Sequence, residues 1–281
     1  MSNVAVVLKL DPIEVDRSVA GFANPADVVV LVIEDNDLIL GNVRQALDEL
    51  RLQKEQQDRE KQALNSMKGR KSETLDGRSI RICCNIGGPE DVSAVLENDG
   101  EGIGLFRSEF LYLNREDFPD EETQFLSYRQ VLTQMGDREV IIRTMDIGAD
   151  KKIGYFNLPQ EENPAMGMRA LRICLDREEI FRTQLRALYR ASAYGRLGIM
   201  FPMVTNAWEV ETAKALCAQV RQELTEEGTA ISDQVPVGIM IETPAAALVS
   251  DQLAGMVDFF SWQAKIMAVK KSRMDFAIRM L

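Results

Sequence analysis

There is no histidine anywhere in this 281-residue sequence. Histidine is the one side chain whose ordinary pKa lies between pH 5 and 8. The chain therefore holds no imidazole to act as general base, metal ligand or phosphoryl acceptor. Chemistry built on these residues works without one or borrows one from another polypeptide. Cysteine is scarce as well. Cys83, Cys84, Cys174 and Cys217 form no Cys-x-x-Cys pair and no disulfide framework, which points to reduced thiols in a cytoplasm. All four suit the usual role of a free cysteine, a small packed hydrophobe. No apolar run approaches the length of a membrane span. Val4 to Leu8 is too short for a signal-peptide core and is followed by charge. A net charge of −11 argues against a nucleic-acid partner, because phosphate backbones attract basic surfaces.

What is present is ordinary in bulk and specific in pattern. The chain is 46% hydrophobic and 27% charged, and its length suits one large domain or two smaller ones. Asp27 to Ile33, a polar turn, and Leu38-Ile39-Leu40 read as a hairpin, with Gly41-Asn42 opening a helix at Asn42. From Gln53 to Gln62 there is no apolar residue, the mark of a solvent-exposed connecting helix. Gly69 to Gly77 is the exit, which places a domain boundary near residue 72.

Beyond it, apolar strand candidates recur at Ile80–Ile86, Ile103–Phe106, Val140–Met145, Gly198–Met203, Val237–Ile241 and Val257–Phe260. Helical segments separate most of them. Pro119 to Glu122 starts one that Gly136 ends, Leu171 to Tyr194 carries more, and Thr205-Asn206 starts one that Gly228 ends. Strands alternating with helices predict a parallel sheet. Six of them suit either a doubly wound sheet or a shortened (β/α)8 barrel.

The strand ends carry the chemistry. One ends at Arg107, one at Arg143 and one at Glu242. In a barrel these ends meet on one face, where active sites form. Arginine forks match phosphate and carboxylate oxygens, and a carboxylate among phosphates suits Mg²⁺. Charged strand ends are also common without function, and Arg107 can simply pair with Glu109. Met166 and Met168 read as core filler, and Asp120-Glu121-Glu122 as helix-start charge.

Five stretches resemble one family. They are "GIGLFRSEFLYLNREDFPDEETQF" (102–125), "VIIRTMDIGADK" (140–151), "ENPAMGMRALRI" (162–173), "IMFPMV" (199–204) and "VGIMIETPAAALVSDQLAGMVDFFS" (237–261). Together they are similar to the phosphoenolpyruvate-binding barrel of the enzyme I family of the bacterial sugar phosphotransferase system. The resemblance implies an α/β fold with an incomplete (β/α)8 TIM-type barrel of about six strands. It implies four regions: a remnant of a swivelling phosphohistidine domain (1–42), a helical linker (43–72), the barrel (73–261) and a divergent basic tail (262–281). By position, Arg107 and Arg143 would grip phosphoenolpyruvate, Arg169 would support the anion site, and Glu242 would bind Mg²⁺ or Mn²⁺. The phosphoryl group would pass to a histidine and then to a histidine-containing carrier protein. A cytoplasmic homodimer paired through the barrel is the implied setting.

The departures set further expectations. Where the family continues Ile-Gly-Thr-Asn-Asp-Leu-Thr after Phe-Phe-Ser, this chain has Trp262-Gln263-Ala264-Lys265. The second metal ligand, an acid cysteine and two strands are expected there and do not follow, so the reading is of a chain cut at both ends and inactive alone. Residues 262–281, with five basic residues and one acid, fit either an accidental sequence or a basic amphipathic helix for a membrane or partner helix. Two alternatives stand beside the phosphotransferase: a non-catalytic binding or dimerisation fragment, and a dikinase-like barrel enzyme.

Overall fold

The computed structural model describes residues 37–113, 115–151, 153–164 and 167–262; the side chains of residues 37–47 and 150 are left aside. The chain divides into two units, one up to Lys68 and one from Gly69 onward.

In the first unit a single helix, α1, spans Asp37–Asn65. Leu38-Ile39-Leu40 therefore lie in a helix rather than in the second strand of a hairpin, and the helix runs through Gly41 and Asn42 rather than opening there. Three apolar residues cannot by themselves distinguish strand from helix. The continuous helix-forming sequence after them decides, at a cost of about 1 kcal/mol for the internal glycine. The other half of the expected hairpin lies outside the described residues. From Asp48 to Asn65 the helix is exposed, and pairs one turn apart, such as Gln56 to Glu60 (3.1 Å) and Arg59 with Glu55 (3.5 Å), brace it.

In the second unit β1 (Cys83–Ile86), α2 (Val92–Glu97), β2 (Gly102–Arg107), α3 (Glu121–Met135) and β3 (Val140–Arg143) are followed by α4 (Leu171–Asp176) and α5 (Glu178–Ala191). Then come β4 (Leu197–Phe201), α6 (Ala207–Glu226), β5 (Val237–Ile241), α7 (Pro244–Leu248), α8 (Ser250–Ala254) and β6 (Phe259–Trp262). The pairings of these six strands are all parallel, and the strands lie side by side in chain order. A doubly wound sheet reverses its order at a switch point; this one never does. The six strands curl into an open arc, an incomplete TIM-type barrel whose edges among the described residues are β1 and β6.

Local chemistry sets the helix limits. Asp120 accepts from the Thr123 N–H at 2.8 Å, and Gly136 at φ 58° ends α3. Asn206 and Glu209 form a reciprocal capping box at the start of α6. Four strands differ from expectation at their limits; β3 and β4 stop at Arg143 and Phe201, two residues before Met145 and Met203. β1 begins only at Cys83, and Ile80 and Ile82 before it are exposed. β6 starts two residues late and takes in Trp262, which pairs with Ile241, so the divergent tail begins inside a strand. The rest of that tail lies outside the described residues.

The sheet separates two apolar clusters. The large one fills the space between strands and helices with residues such as Phe106, Ile142, Phe181, Ile199 and Ile239. The small one, on the inner face, is Ile141, Met200 and Met240 with Leu105 and Phe259. Gly238 makes room for it: a Cβ there would meet the Phe259 ring at 2.4 Å.

Candidate functional site

Strand periodicity puts the chemistry inside. Side chains two residues apart share a face. Leu105, Ile141 and Met240 are inner-face residues, so Arg107, Arg143 and Glu242, each two further on, lie on that face at the C-terminal end. Arg107 and Arg143 are also register partners across β2 and β3. Both line a cleft of ≈ 520 Å³ together with Glu109, Asp146, Lys151, Asn85, Ser261 and Trp262.

The two arginines differ in state. Arg107 is exposed. Arg143 is only 8% exposed and is held from two sides. Its Nη2 donates to Glu109 Oε1, and its Nη1 pairs with Asp146 Oδ2 at 2.9 Å. Asp146 is shared, because Arg169 Nη2 donates to its other oxygen at 2.8 Å. Glu109, Arg143, Asp146 and Arg169 thus form an alternating chain of charges, neutral as a whole. Glu109 pairs with Arg143 rather than with Arg107, two residues away. The reason is the turn after β2, which buries the Glu109 carboxylate. Arginine has five donors; Arg143 Nε has no hydrogen-bond partner, and neither does Glu109 Oε2. Both atoms are sealed from solvent, so this unused hydrogen-bonding capacity lies inside the charge chain and not in the open cleft.

Glu242 follows β5, where Thr243 caps α7 by accepting from the Ala246 N–H at 3.1 Å, with Pro244 in the first turn. Its Oε1 accepts from the Met203 N–H at 2.8 Å. Burial pushes its carboxyl above the usual range; the Met203 contact works against that, Asp146 adds to it, and Arg143 and Arg169 offset it. An ionised carboxylate held at such a cost is relieved by a nearby cation. That fits Glu242 as one ligand to a hard metal. No group of three or more His, Cys, Asp or Glu side chains converges among the described residues.

The four charged residues expected from the sequence thus divide. Arg107 and Arg143 share the cleft wall; Arg169 reaches Arg143 through Asp146; Glu242 sits within the electrostatic reach of Arg143 and Arg169. Sequence reading missed Asp146 and Lys151, though both stand in the quoted DIGADK stretch. Cys174 and Cys217 are packed thiols: burial pushes the Cys217 thiol up to about 11, and Cys174 is raised by the same cause.

Comparison with known proteins points the same way. Residues 61–264 match the phosphoenolpyruvate-binding domain of the phosphoenolpyruvate-utilising enzymes. A phosphoenolpyruvate-protein phosphotransferase of Priestia megaterium is 51% identical over 191 residues, 68% of this chain and 33% of that protein. The namesake from Bacillus subtilis is 50% identical over 186 residues, 66% and 33% of the two chains. The one from Staphylococcus carnosus is 43% identical over 245 residues, 87% and 43%. The chain therefore spans from a third to under half the length of these relatives.

Proposed function

The chain belongs to the phosphoenolpyruvate-utilising enzymes through their phosphoenolpyruvate-binding domain, and we propose that its strand-end cleft binds phosphoenolpyruvate for phosphoryl transfer in a sugar phosphotransferase system. The observation that carries this reading is the convergence of Arg107, Arg143 and Lys151 on one cleft. Arg107 is free to turn its fork onto a phosphate or carboxylate. Arg143 is already oriented by Glu109 and Asp146 and lines the cleft as a second guanidinium. Such donors, fixed before the ligand arrives, need no reorganisation when charge develops. Arg169 acts at one remove, by completing the pairing of Asp146.

Glu242 would hold Mg²⁺ or Mn²⁺, and the cation would supply neutralisation of phosphate and carboxylate oxygens. With no histidine among these 281 residues, the acceptor imidazole lies outside them, and the phosphoryl group then passes to a carrier protein in the cytoplasm. Pairing of two barrels into a dimer fits the same reading. The missing imidazole also favours a second reading, in which these residues bind phosphoenolpyruvate and partners without turnover. The relatives' shared name favours a phosphotransferase over a dikinase.

Calorimetric titration of phosphoenolpyruvate into the chain, with and without Mg²⁺, tests the site. Binding that strengthens with Mg²⁺ and falls roughly 10- to 100-fold in Arg107→Ala is the expected result. Heat unchanged by that substitution would remove the cleft from consideration. Adding the family's histidine-bearing fragment then separates the two readings: phosphoenolpyruvate is consumed only if the chain is catalytic.

A further inference from the structure

We propose that Gln184, in helix α5, is a positioning residue that fixes both arginine-bearing strand ends at once; this rests on reading the cleft as the phosphoenolpyruvate site. Gln184 is 1% exposed, among the buried apolar residues Phe181, Leu185 and Leu188 of the same helix. A primary amide in such surroundings costs stability unless its hydrogen bonds are made. Its bonds go to the two loops that carry the site. Nε2 donates to Ser108 Oγ at 3.0 Å, and Oε1 accepts from the Met145 N–H at 2.9 Å. Nε2 also donates to Tyr128 Oη at 3.1 Å.

The positions of those partners give the amide its reach. Ser108 lies between Arg107 and Glu109. Met145 lies between Thr144 and Asp146, two residues after Arg143. The register of β2 with β3 ends at the pair Arg107 and Arg143. Past that pair, Gln184 bridges the two chains where the ladder has stopped. One side chain thereby sets the spacing of Arg107, Glu109, Arg143 and Asp146.

The amide is itself anchored. Burial raises the Tyr128 phenol well above its ordinary range, so it stays protonated and donates onward to Gln124 Oε1 at 3.2 Å. Gln124 Nε2 in turn donates to the Pro119 carbonyl at 2.9 Å. A buried polar network with its members satisfied specifies one arrangement. Replacing Gln184 with leucine keeps the volume close and leaves the Met145 N–H and the Ser108 hydroxyl without this partner.

The test compares Gln184→Leu with Leu188→Ala in the full chain. Leu188 is buried one turn further along the same helix and has no polar side-chain atom to bridge the strand ends, so it controls for lost stability. Gln184→Leu is expected to weaken phosphoenolpyruvate binding about tenfold, as small misplacements of a site do, while Leu188→Ala lowers the melting temperature and leaves affinity unchanged. Amide exchange in peptides 105–112 and 140–148 is expected to quicken together in Gln184→Leu only. Ser108→Ala, which removes a single contact from a small residue, carries the test if the leucine variant fails to fold; it should weaken binding and quicken exchange in 105–112. Equal affinities in the Gln184 and Leu188 variants, or unchanged exchange in both peptides, overturn the proposal. If Arg107→Ala loses binding while Gln184→Leu keeps it, this proposal alone falls. If the parent chain binds no phosphoenolpyruvate, the site reading falls and takes this one with it.

Discussion

The open barrel has a cleft at each end, and they are nearly equal in size. The one at the strand C-termini is ≈ 520 Å³ and the one at the N-termini ≈ 540 Å³. Volume does not tell them apart; charge does. The N-terminal cleft is lined by Glu139, Asp233, Asp258 and Arg196; with Glu139 paired to Arg81 at 2.8 Å, two aspartates still face one arginine, and an anion entering it meets net repulsion. The C-terminal cleft sets Arg107, Arg143 and Lys151 against Glu109 and Asp146. There the carboxylates are engaged with Arg143, while Arg107 and Lys151 are exposed and have no ion pair among the described residues. The ends also differ in rigidity of purpose. Asp258 Oδ2 accepts from the Val237 N–H at 2.7 Å, a contact that ties β6 to β5. The acidic residue at that end thus serves the sheet, while those at the other end orient arginines.

Arg143→Ala should break this difference most completely. It removes a cation and leaves Glu109 and Asp146 as buried carboxylates with one partner fewer. Breaking a buried pair in this way costs about 3–5 kcal/mol. Phosphoenolpyruvate binding should vanish from calorimetry and the denaturant midpoint should fall. Arg196→Ala, the matching change at the opposite cleft, should leave binding intact. Loss of binding in both variants would show that the two ends do not differ in function.

Arg107→Ala separates affinity from stability. The side chain is exposed and holds nothing in the fold, so the melting temperature should not move. A charged hydrogen bond is worth about 1.5–3 kcal/mol, so affinity should fall roughly 10- to 100-fold. A concurrent fall in melting temperature would make Arg107 a structural group instead.

Much of this was legible in the sequence, for reasons that also explain the misses. Gly-Ile-Gly-Leu-Phe-Arg and Val-Ile-Ile-Arg read as strands ending in arginine because apolar runs and their ends are local features. The caps at Asp120, Gly136 and Asn206 are local too. The partner of Glu109 was not legible: it lies 34 residues away on the next strand, and only register brings it there. Gln184 looks in sequence like one polar residue in an amphipathic helix. Its role depends on two loops meeting over it. Leu38 to Leu40 failed for the opposite reason, since three residues are too short to fix a period.

Glu242→Gln sharpens the metal side of the comparison. The folded-state pKa of Glu242 lies above its ordinary value. Its contribution to stability is therefore full below the ordinary value and is lost as pH rises through the raised one. Without metal, the glutamine variant should melt higher than the parent at pH 7, and the two curves should converge in acid. With phosphoenolpyruvate present, the variant should need more Mg²⁺ for the same binding, because an amide lacks the charge a hard cation seeks. An unchanged Mg²⁺ midpoint would place the ligand elsewhere.

The smallest effect belongs to the helix layer, far from either cleft. Arg186 joins three helices: its Nε donates to Glu121 of α3 at 2.7 Å, and its Nη2 donates to the Glu227 carboxylate, just past α6, at 2.8 Å. Arg190 adds Glu121 and Glu122, each at 2.7 Å. The network holds Arg186 strongly protonated and keeps Glu227 below the usual carboxylate range. These groups are largely at the surface, where water and salt screen them and isolated pairs contribute little. Arg186→Ala should therefore lower the melting temperature slightly at low ionic strength, and the difference should shrink as salt is added. Phosphoenolpyruvate affinity should stay at the parent value, because no contact of this network reaches Ser108 or Met145. Melting curves in low and high salt, set beside calorimetry on the same samples, check both halves. A salt-insensitive loss of stability would mean that Arg186 acts by packing its alkyl stem. A loss of affinity would mean that α5 transmits strain to the strand ends along its length, and not through Gln184 alone.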